Sequence, residues 1–211
     1  PDMEDAVGIF DPVRNTLSNV PTGLTGSGKF SGAATASNGH VIMAPSDSMN
    51  VGVFDPANLS FTAVHMGNTA SVTVNDKFCG AAATVGGLVV FAPKKAWGVG
   101  VFNASNGTFS EVSIGSNQVP SKGHYCGAAT AADGLVVFAP HDRDDVGTYD
   151  PVTGAFSAVD IILGGPQKFF GALTADNGLI VFTPYVSDFV GIFDPESLTF
   201  SVVPVSNDVK W

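Results

Sequence analysis

Residues 127–156 read GAATAADGLVVFAPHDRDDVGTYDPVTGAF, and this pattern recurs along the chain. In each of four copies a proline follows the opening glycine by 13 positions: Gly32 and Pro45, Gly80 and Pro93, Gly127 and Pro140, Gly171 and Pro184. The glycine of a Val-Gly pair follows that proline by 7 positions. Only the link to the next copy varies, so the period ranges from 44 to 48 residues. Fixed units joined by variable links indicate one folded module per copy.

Each copy is predicted to form four short strands. The strands are a Gly-Ala-Ala-Thr run, an apolar run ending in proline, a Val-Gly-x-Phe/Tyr segment ending in Asp-Pro or its equivalent, and a final segment carrying phenylalanine. Turn pairs such as Asn38-Gly39 predict a two-residue hairpin between the first two strands. No window has a convincing helical period. An all-β chain of four-stranded units indicates a β-propeller.

The repeat resembles the Kelch-type propeller repeat. The likeness lies in the apolar second strand, the Phe-Asp-Pro end of the third strand and the aromatic residue in the fourth. Ala44-Pro45 and Thr183-Pro184 stand where a Kelch second strand usually closes with Gly-Gly, and phenylalanine replaces the usual fourth-strand tryptophan. The repeats also resemble those of uncharacterised marine-protist proteins, which carry no assigned activity. These resemblances imply a propeller fold and leave the function open.

A single propeller domain is predicted over residues 1–211. It consists of an outer half blade and four complete blades: 1–20, 29–65, 77–113, 124–160 and 168–204. Pro1 occupies the position after a second strand, and Lys210-Trp211 repeats the pair that precedes a first strand. This pattern favours a segment of a longer chain, most simply a five-bladed ring lacking one inner hairpin. The alternatives are a ring of six or seven blades, and a four-bladed ring with a detached hairpin.

Composition narrows the classes of partner. The net charge is -10, with only nine lysine and arginine residues, which argues against nucleic-acid binding. The apolar runs are only as long as strands, so no membrane insertion is predicted. Three sequons favour a secreted or lumenal location without fixing the compartment: Asn58-Leu59-Ser60, Asn103-Ala104-Ser105 and Asn106-Gly107-Thr108.

Cys79 and Cys126 occupy the same repeat position on neighbouring copies, held by Ser31 and Phe170 in the others. They are predicted to be two small buried thiols. A disulfide is the alternative, and it would require their Cα atoms to lie within about 7 Å.

A basic residue followed by an aromatic one precedes each first strand, as in Lys77-Phe78 and Lys168-Phe169. The prediction is an aromatic plug between blades beside a lysine that reaches solvent. The alternative is a ring of basic residues that attracts an anion to the mouth of the channel.

The loop between the second and third strands is the most variable part of the fixed-length unit. Variable loops on a constant scaffold are where recognition usually occurs. The loops of two adjacent copies carry mixed charge and an aromatic ring, and they are the predicted binding residues: Lys94, Lys95, Trp97, His141, Asp142, Arg143, Asp144 and Asp145. The alternative is that these are solvated loops with no binding role.

Catalytic motifs are lacking. The sequence has no Gly-x-Ser-x-Gly elbow, zinc-protease helix or phosphate loop, and residues 141–145 match neither a calcium loop nor a zinc site. We therefore predict no catalytic residue, no metal and no cofactor. The aspartate before each proline is predicted to cap a turn: Asp11, Asp55, Asp150 and Asp194.

The predicted function is a non-catalytic interaction module that binds a protein partner or docks as an accessory subunit of a larger assembly. The first alternative is a lectin-like propeller that binds carbohydrate in up to one equivalent pocket per blade. A glycoside-processing enzyme ranks third, because the inner strands carry no unique carboxylate.

Overall fold

The structure is a computed structural model that describes residues 4–115 and 123–205. The described residues form eighteen strands, arranged in four four-stranded sheets and one two-stranded sheet. Neighbouring strands within each sheet are antiparallel and follow chain order. The all-β propeller with four complete blades and an N-terminal half blade is therefore confirmed. In the described part of the chain no helix is long and apolar enough to cross a membrane.

The strands are grouped as follows. The half blade consists of β1 (Ala6–Asp11) and β2 (Thr16–Pro21). Blade 1 consists of β3 (Phe30–Thr35), β4 (Val41–Pro45), β5 (Asn50–Asp55) and β6 (Ser60–His65). Blade 2 consists of β7 (Phe78–Ala83), β8 (Leu88–Pro93), β9 (Gly98–Asn103) and β10 (Thr108–Ser113). Blade 3 consists of β11 (Tyr125–Thr130), β12 (Val136–Pro140), β13 (Asp145–Asp150) and β14 (Ala155–Asp160). Blade 4 consists of β15 (Phe169–Thr174), β16 (Ile180–Pro184), β17 (Phe189–Asp194) and β18 (Thr199–Pro204).

The hairpin between the first two strands of a blade has a three-residue loop. In blade 1 the backbone N–H of Gly39 donates to the carbonyl of Ala36 (2.9 Å), and the N–H of Ala36 donates to the carbonyl of His40 (2.8 Å). Of the pair Asn38-Gly39, only the glycine has a positive φ, 85°. A two-residue type I′ turn needs positive φ at both positions, so the prediction of a two-residue hairpin is wrong. The Asn38 amide instead donates to the carbonyl of Ala104 in blade 2 (2.9 Å).

The first strands of the blades, β3, β7, β11 and β15, lie side by side in chain order. They pack through the repeated glycine. Gly127 has φ +97°, and a methyl group built on it would lie 2.6 Å from the Cα of Gly171. The register of β11 against β12 shifts beside this glycine, which is a β-bulge. Only a residue without a side chain allows the inner strands to approach so closely.

The hydrophobic core lies between blades. Phe78 and Phe91 of blade 2 pack against Ile42 and Val51 of blade 1, and all four side chains are fully buried. Equivalent clusters join blades 2 and 3, blades 3 and 4, and the half blade to blade 1. Because each blade completes the core of its neighbour, the loops at its ends are held on a rigid base.

The lysines before the first strands tie each blade to the preceding one. Lys77 is fully buried, and its Nζ donates to the carbonyl of Ser46 in blade 1 (2.7 Å). Lys168 is also buried, and its Nζ donates to the carbonyl of Arg143 in blade 3 (3.0 Å). Burial lowers the pKa of Lys77 to about 8, against a smaller opposing effect of Asp47. The prediction that these lysines reach solvent is wrong for the described residues Lys29, Lys77 and Lys168, which are buried and donate to backbone carbonyls. Lys210 lies outside the described residues.

Cys79 and Cys126 form a disulfide that joins β7 to β11. Their Cα atoms are 4.7 Å apart, because the inner strands of adjacent blades converge near the axis. The prediction of two separate thiols is therefore wrong, and the alternative is confirmed.

The aspartate at the end of the third strand caps the following turn, as predicted. Asp150 Oδ1 accepts the N–H of Val152 (2.8 Å), and Oδ2 accepts the hydroxyl of Thr153 (2.7 Å). The hydrogen bond from Thr153 is the main cause that lowers the pKa of Asp150. Asn103, which replaces the aspartate in blade 2, accepts the N–H of Ser105 in the same way (2.9 Å).

Candidate binding pocket on the loop face

One face of the propeller carries both variable parts of the repeat. Since the strands of a blade alternate in direction, the loop between the second and third strands lies at the same end as the link to the next blade. We call this end the loop face. On it, loops and links of blades 2, 3 and 4 enclose a cavity of about 510 Å³, the rim pocket. Its side chains include three aromatic rings and four charged groups: His141, Phe170, Tyr185, Asp76, Lys94, Lys95 and Asp142.

The aromatic side of the rim pocket is a cluster of three rings. The ring centroids of Phe170 and Tyr185 are 5.2 Å apart. The ring of His141 stacks on Tyr185 with a centroid distance of 6.2 Å and an interplanar angle of 27°. His141 is buried, whereas Tyr185 is 57% exposed and Phe170 is 46% exposed. The buried ring therefore supports two rings whose surfaces remain accessible.

The rim pocket also holds an ion-pair cluster. Lys95 Nζ lies 2.9 Å from Asp76 Oδ2, and Lys94 Nζ lies 3.5 Å from Asp76 Oδ1. The hydrogen bond from Lys95 is the main cause that lowers the pKa of Asp76. All three side chains keep part of their surface exposed, so they can exchange these contacts for contacts with a ligand.

Asp142 joins the two links that border the pocket. Its Oδ2 accepts the backbone N–H of Gly123 (2.6 Å), and its Oδ1 accepts the N–H of Gln167 (2.8 Å). His141 Nδ1 lies 3.2 Å from Asp142 Oδ2. Burial acts to raise the pKa of Asp142, but the backbone hydrogen bonds from Gln167 and Gly123 and the nearby His141 ring outweigh it and lower the pKa. The carboxylate thus fixes the positions of both links and stays charged at neutral pH.

The eight predicted binding residues do not all lie at one site. Lys94, Lys95, His141 and Asp142 line the rim pocket. Trp97 lies elsewhere, in a cavity of about 310 Å³ that it shares with Thr69, Ala70, Glu111 and Ser113.

The remaining three predicted residues form ion pairs outside the rim pocket. The guanidinium of Arg143 donates to the carboxylate of Asp145 (Nε to Oδ1, 2.9 Å) and lies 5.8 Å from the ring centroid of Tyr125. The Tyr125 hydroxyl also donates to Asp145, which is buried. Asp144 pairs with Lys168 Nζ at 2.9 Å. Arg143 and Asp145 therefore pair with each other and with a buried hydroxyl, and their role in binding stays a prediction.

Three pocket residues were not among the predicted binding residues. Asp76 lies in a variable link, where no repeat position marks it. Tyr185 lies in the loop after the second strand of blade 4, and Phe170 lies on the inner strand β15. The sequence does distinguish Phe170, because the other blades carry the small residues Ser31, Cys79 and Cys126 at its position.

Over residues 4–115 and 123–205, no group of three or more histidine, cysteine, aspartate or glutamate side chains is placed to hold a metal ion.

No family model matches the chain, and no curated protein matches its sequence. Solved structures do resemble it. The virginiamycin B lyase of Staphylococcus aureus has a TM-score of 0.80 at 13% identity, over 98% of this chain and 64% of the lyase. A streptogramin B lyase has a TM-score of 0.77 at 16% identity, over 96% of this chain and 63% of that one. An auxiliary nutrient binding protein of Bacteroides ovatus has a TM-score of 0.63 at 13% identity, over 98% of this chain and 54% of that one.

These comparisons support the fold. The chain is a β-propeller. It spans less than two thirds of the length of each of these three proteins. At 13–16% identity the likeness shows the fold alone, and neither lyase chemistry nor nutrient binding follows from it. The Kelch-type character of the repeat stays a prediction.

Proposed function

We propose that this chain is a non-catalytic binding module that engages its partner at the rim pocket. The observation that carries the proposal is the convergence of three blades on one opening that presents two exposed aromatic rings. Exposed aromatic side chains are costly to leave in water and are enriched at binding sites. The blades behind them are tightly packed, so the rings are held in place before a partner arrives.

The charge state of the pocket supports binding without catalysis. Hydrolysis of a glycosidic bond uses one carboxylic acid that remains protonated and one carboxylate. The pKa values of both Asp76 and Asp142 are lowered, so both are ionised at neutral pH. Neither is poised to donate a proton.

Two classes of partner fit this face. A protein partner, or a larger assembly in which the chain is an accessory subunit, would use Phe170 and Tyr185 as buried anchors. A carbohydrate would lie in the cavity itself, whose volume of about 510 Å³ is in the range of small-ligand sites. The cavity is lined by both aromatic and charged side chains, and this combination favours the carbohydrate. Because small side chains replace Phe170 in the other blades, such a ligand would use one pocket and not a set of equivalent pockets.

The test is affinity capture from an extract of the native source, with both proteins and glycans identified by mass spectrometry. The bait is the wild-type chain beside the double variant Phe170→Ser, Tyr185→Ala. Val152→Ser is the matched control, because Val152 is 92% exposed and lies outside the pocket. We expect a partner that the wild type and the control retain and the double variant loses. Equal capture by all three chains, or no capture, would overturn the proposal.

A further inference from the structure

We propose that the rim pocket binds a neutral sugar unit, with its C–H face against Tyr185 and Phe170 and its hydroxyl groups toward the charged side chains. This inference rests on the proposed function and specifies the chemistry of the ligand. It commits to an uncharged saccharide and makes charged sugars and proteins outcomes of the test.

The aromatic cluster supplies a surface for the apolar face of a sugar. Aromatic faces carry negative partial charge and attract polarised C–H groups. Tyr185 and Phe170 meet at an interplanar angle of 43°, so together they form a bent wall instead of one flat plate. His141 packs against both rings, with its centroid 6.2 Å from that of Tyr185 and 6.4 Å from that of Phe170. A preorganised wall of this kind suits a rigid ring better than a flexible chain.

The charged side chains of the rim pocket are equal in number of each sign over residues 4–115 and 123–205. Among the described residues, the charged side chains of the rim pocket are two cations, Lys94 and Lys95, and two anions, Asp76 and Asp142. A ligand with net charge would meet charges of both signs in the pocket and would lose hydration for little gain. A hydroxyl group can donate to a carboxylate and accept from an ammonium group. Sugar hydroxyls therefore match both kinds of wall group at once.

The net charge of the whole chain also favours a neutral ligand. At -10, the chain repels polyanions at long range, which disfavours uronate-rich and sulfated glycans. A cationic polymer would be attracted at long range but would find Lys94 and Lys95 inside the pocket. A neutral ligand is disfavoured neither by the net charge of the chain nor by the charged side chains inside the pocket.

The test is a glycan array of neutral, acidic and amino sugars, followed by calorimetric titration of the best neutral oligosaccharide. The wild-type chain is compared with Tyr185→Ala, Tyr185→Phe, Lys95→Met and the control Val152→Ser. We expect neutral glycans to bind. Tyr185→Ala should weaken binding about tenfold, since the stacking contribution is of that order. Tyr185→Phe keeps the ring and should bind as the wild type does, and Lys95→Met should bind more weakly because one donor is lost.

The inference is overturned if no neutral glycan binds, if only acidic or amino sugars bind, or if Tyr185→Ala binds as tightly as the wild type. These outcomes separate it from the proposed function. If affinity capture yields a protein that the Phe170→Ser, Tyr185→Ala variant loses, the proposed binding module is supported and the proposed sugar ligand is wrong. If capture yields nothing that depends on these rings, both fall.

Discussion

The ring of Phe78 lies against the backbone of Gly100, so closely that a methyl group built on that glycine would be 2.9 Å from the ring. Phe78 belongs to the first strand of blade 2 and Gly100 to the third, so this contact sets how those two strands stack. The same relationship joins Tyr125 to Gly147 and Phe169 to Gly191, each at 2.8 Å. In the half blade the corresponding glycine is Gly8, and no described atom lies within 4 Å of a methyl group built there.

The pair Gly100 and Gly8 provides a matched test of this packing. Gly100→Ala should lower the free energy of unfolding by about 1–3 kcal/mol, because the added methyl overpacks the site. Gly8→Ala should change it by less than about 0.5 kcal/mol, as is usual for an exposed surface position. Urea unfolding of both variants measures the difference. Equal effects would contradict the assignment of the aromatic ring to this position.

The contact between Gly127 and Gly171 on neighbouring inner strands should be even more sensitive to an added side chain. Gly127→Val combines a positive φ of +97° with a Cβ placed 2.6 Å from the backbone of Gly171. We expect a loss of more than about 3 kcal/mol, since strain and overpacking add. Gly164→Val is the control, because a side chain there meets open space. Thermal unfolding that is the same for the two variants would show that the inner strands do not pack through Gly127.

The disulfide between blades 2 and 3 should contribute measurably to stability. It closes a loop with a sequence separation of 47 residues. The loss of chain entropy in the unfolded state predicts a stabilisation of about 4 kcal/mol. The double variant Cys79→Ser, Cys126→Ser, which follows the natural Ser31 of blade 1, should unfold at correspondingly lower denaturant concentration. A wild-type chain whose free thiols can be titrated without prior reduction would refute the pairing.

Lys77 predicts a specific dependence of stability on pH. Its pKa is about 8 in the folded chain, against 10.5 ordinarily, so the unfolded chain binds more protons between these values. The contribution of this group to the free energy of unfolding therefore rises as the pH increases from about 8 to about 10.5 and is constant below.

Lys77→Met abolishes this titration while keeping the length of the side chain. The stability of the wild type relative to this variant should increase by about 2 kcal/mol between pH 7.5 and pH 10, because the folded chain loses this proton above about pH 8 and the unfolded chain keeps it. Chemical denaturation across this range measures the difference. A difference that stays constant or falls with pH would mean that the ammonium group is not buried between the blades.

The sequence predicts most of the scaffold and about half of the candidate site. The strands and blades can be predicted from the fixed spacings, because each repeated residue has the same local role in every copy. Asp150, which caps the turn after the third strand, is an example. Contacts between blades were harder to predict. The burial of Lys77 and the disulfide depend on how closely neighbouring inner strands converge, which no single repeat encodes.

The residues of the rim pocket can likewise be predicted from the sequence only in part. Lys94 and His141 lie in loops at fixed repeat positions and were predicted as binding residues. Asp76 lies in a link of variable length, so its approach to Lys95 emerges only when the blades pack. Arg143 and Asp145 have the composition of a binding loop, but Asp145 bonds the buried hydroxyl of Tyr125, and Arg143 pairs with Asp145.

The most direct test of the binding account is a crystal structure of the chain with the tightest-binding neutral oligosaccharide. We predict a sugar ring in the rim pocket, with its carbon atoms about 4 Å from the ring of Tyr185, and with hydroxyl groups bonded to Lys95 or Asp76. A sugar bound beside Trp97, or anywhere else with the rim pocket unchanged, would contradict the assignment of Tyr185 and Phe170 as the binding wall.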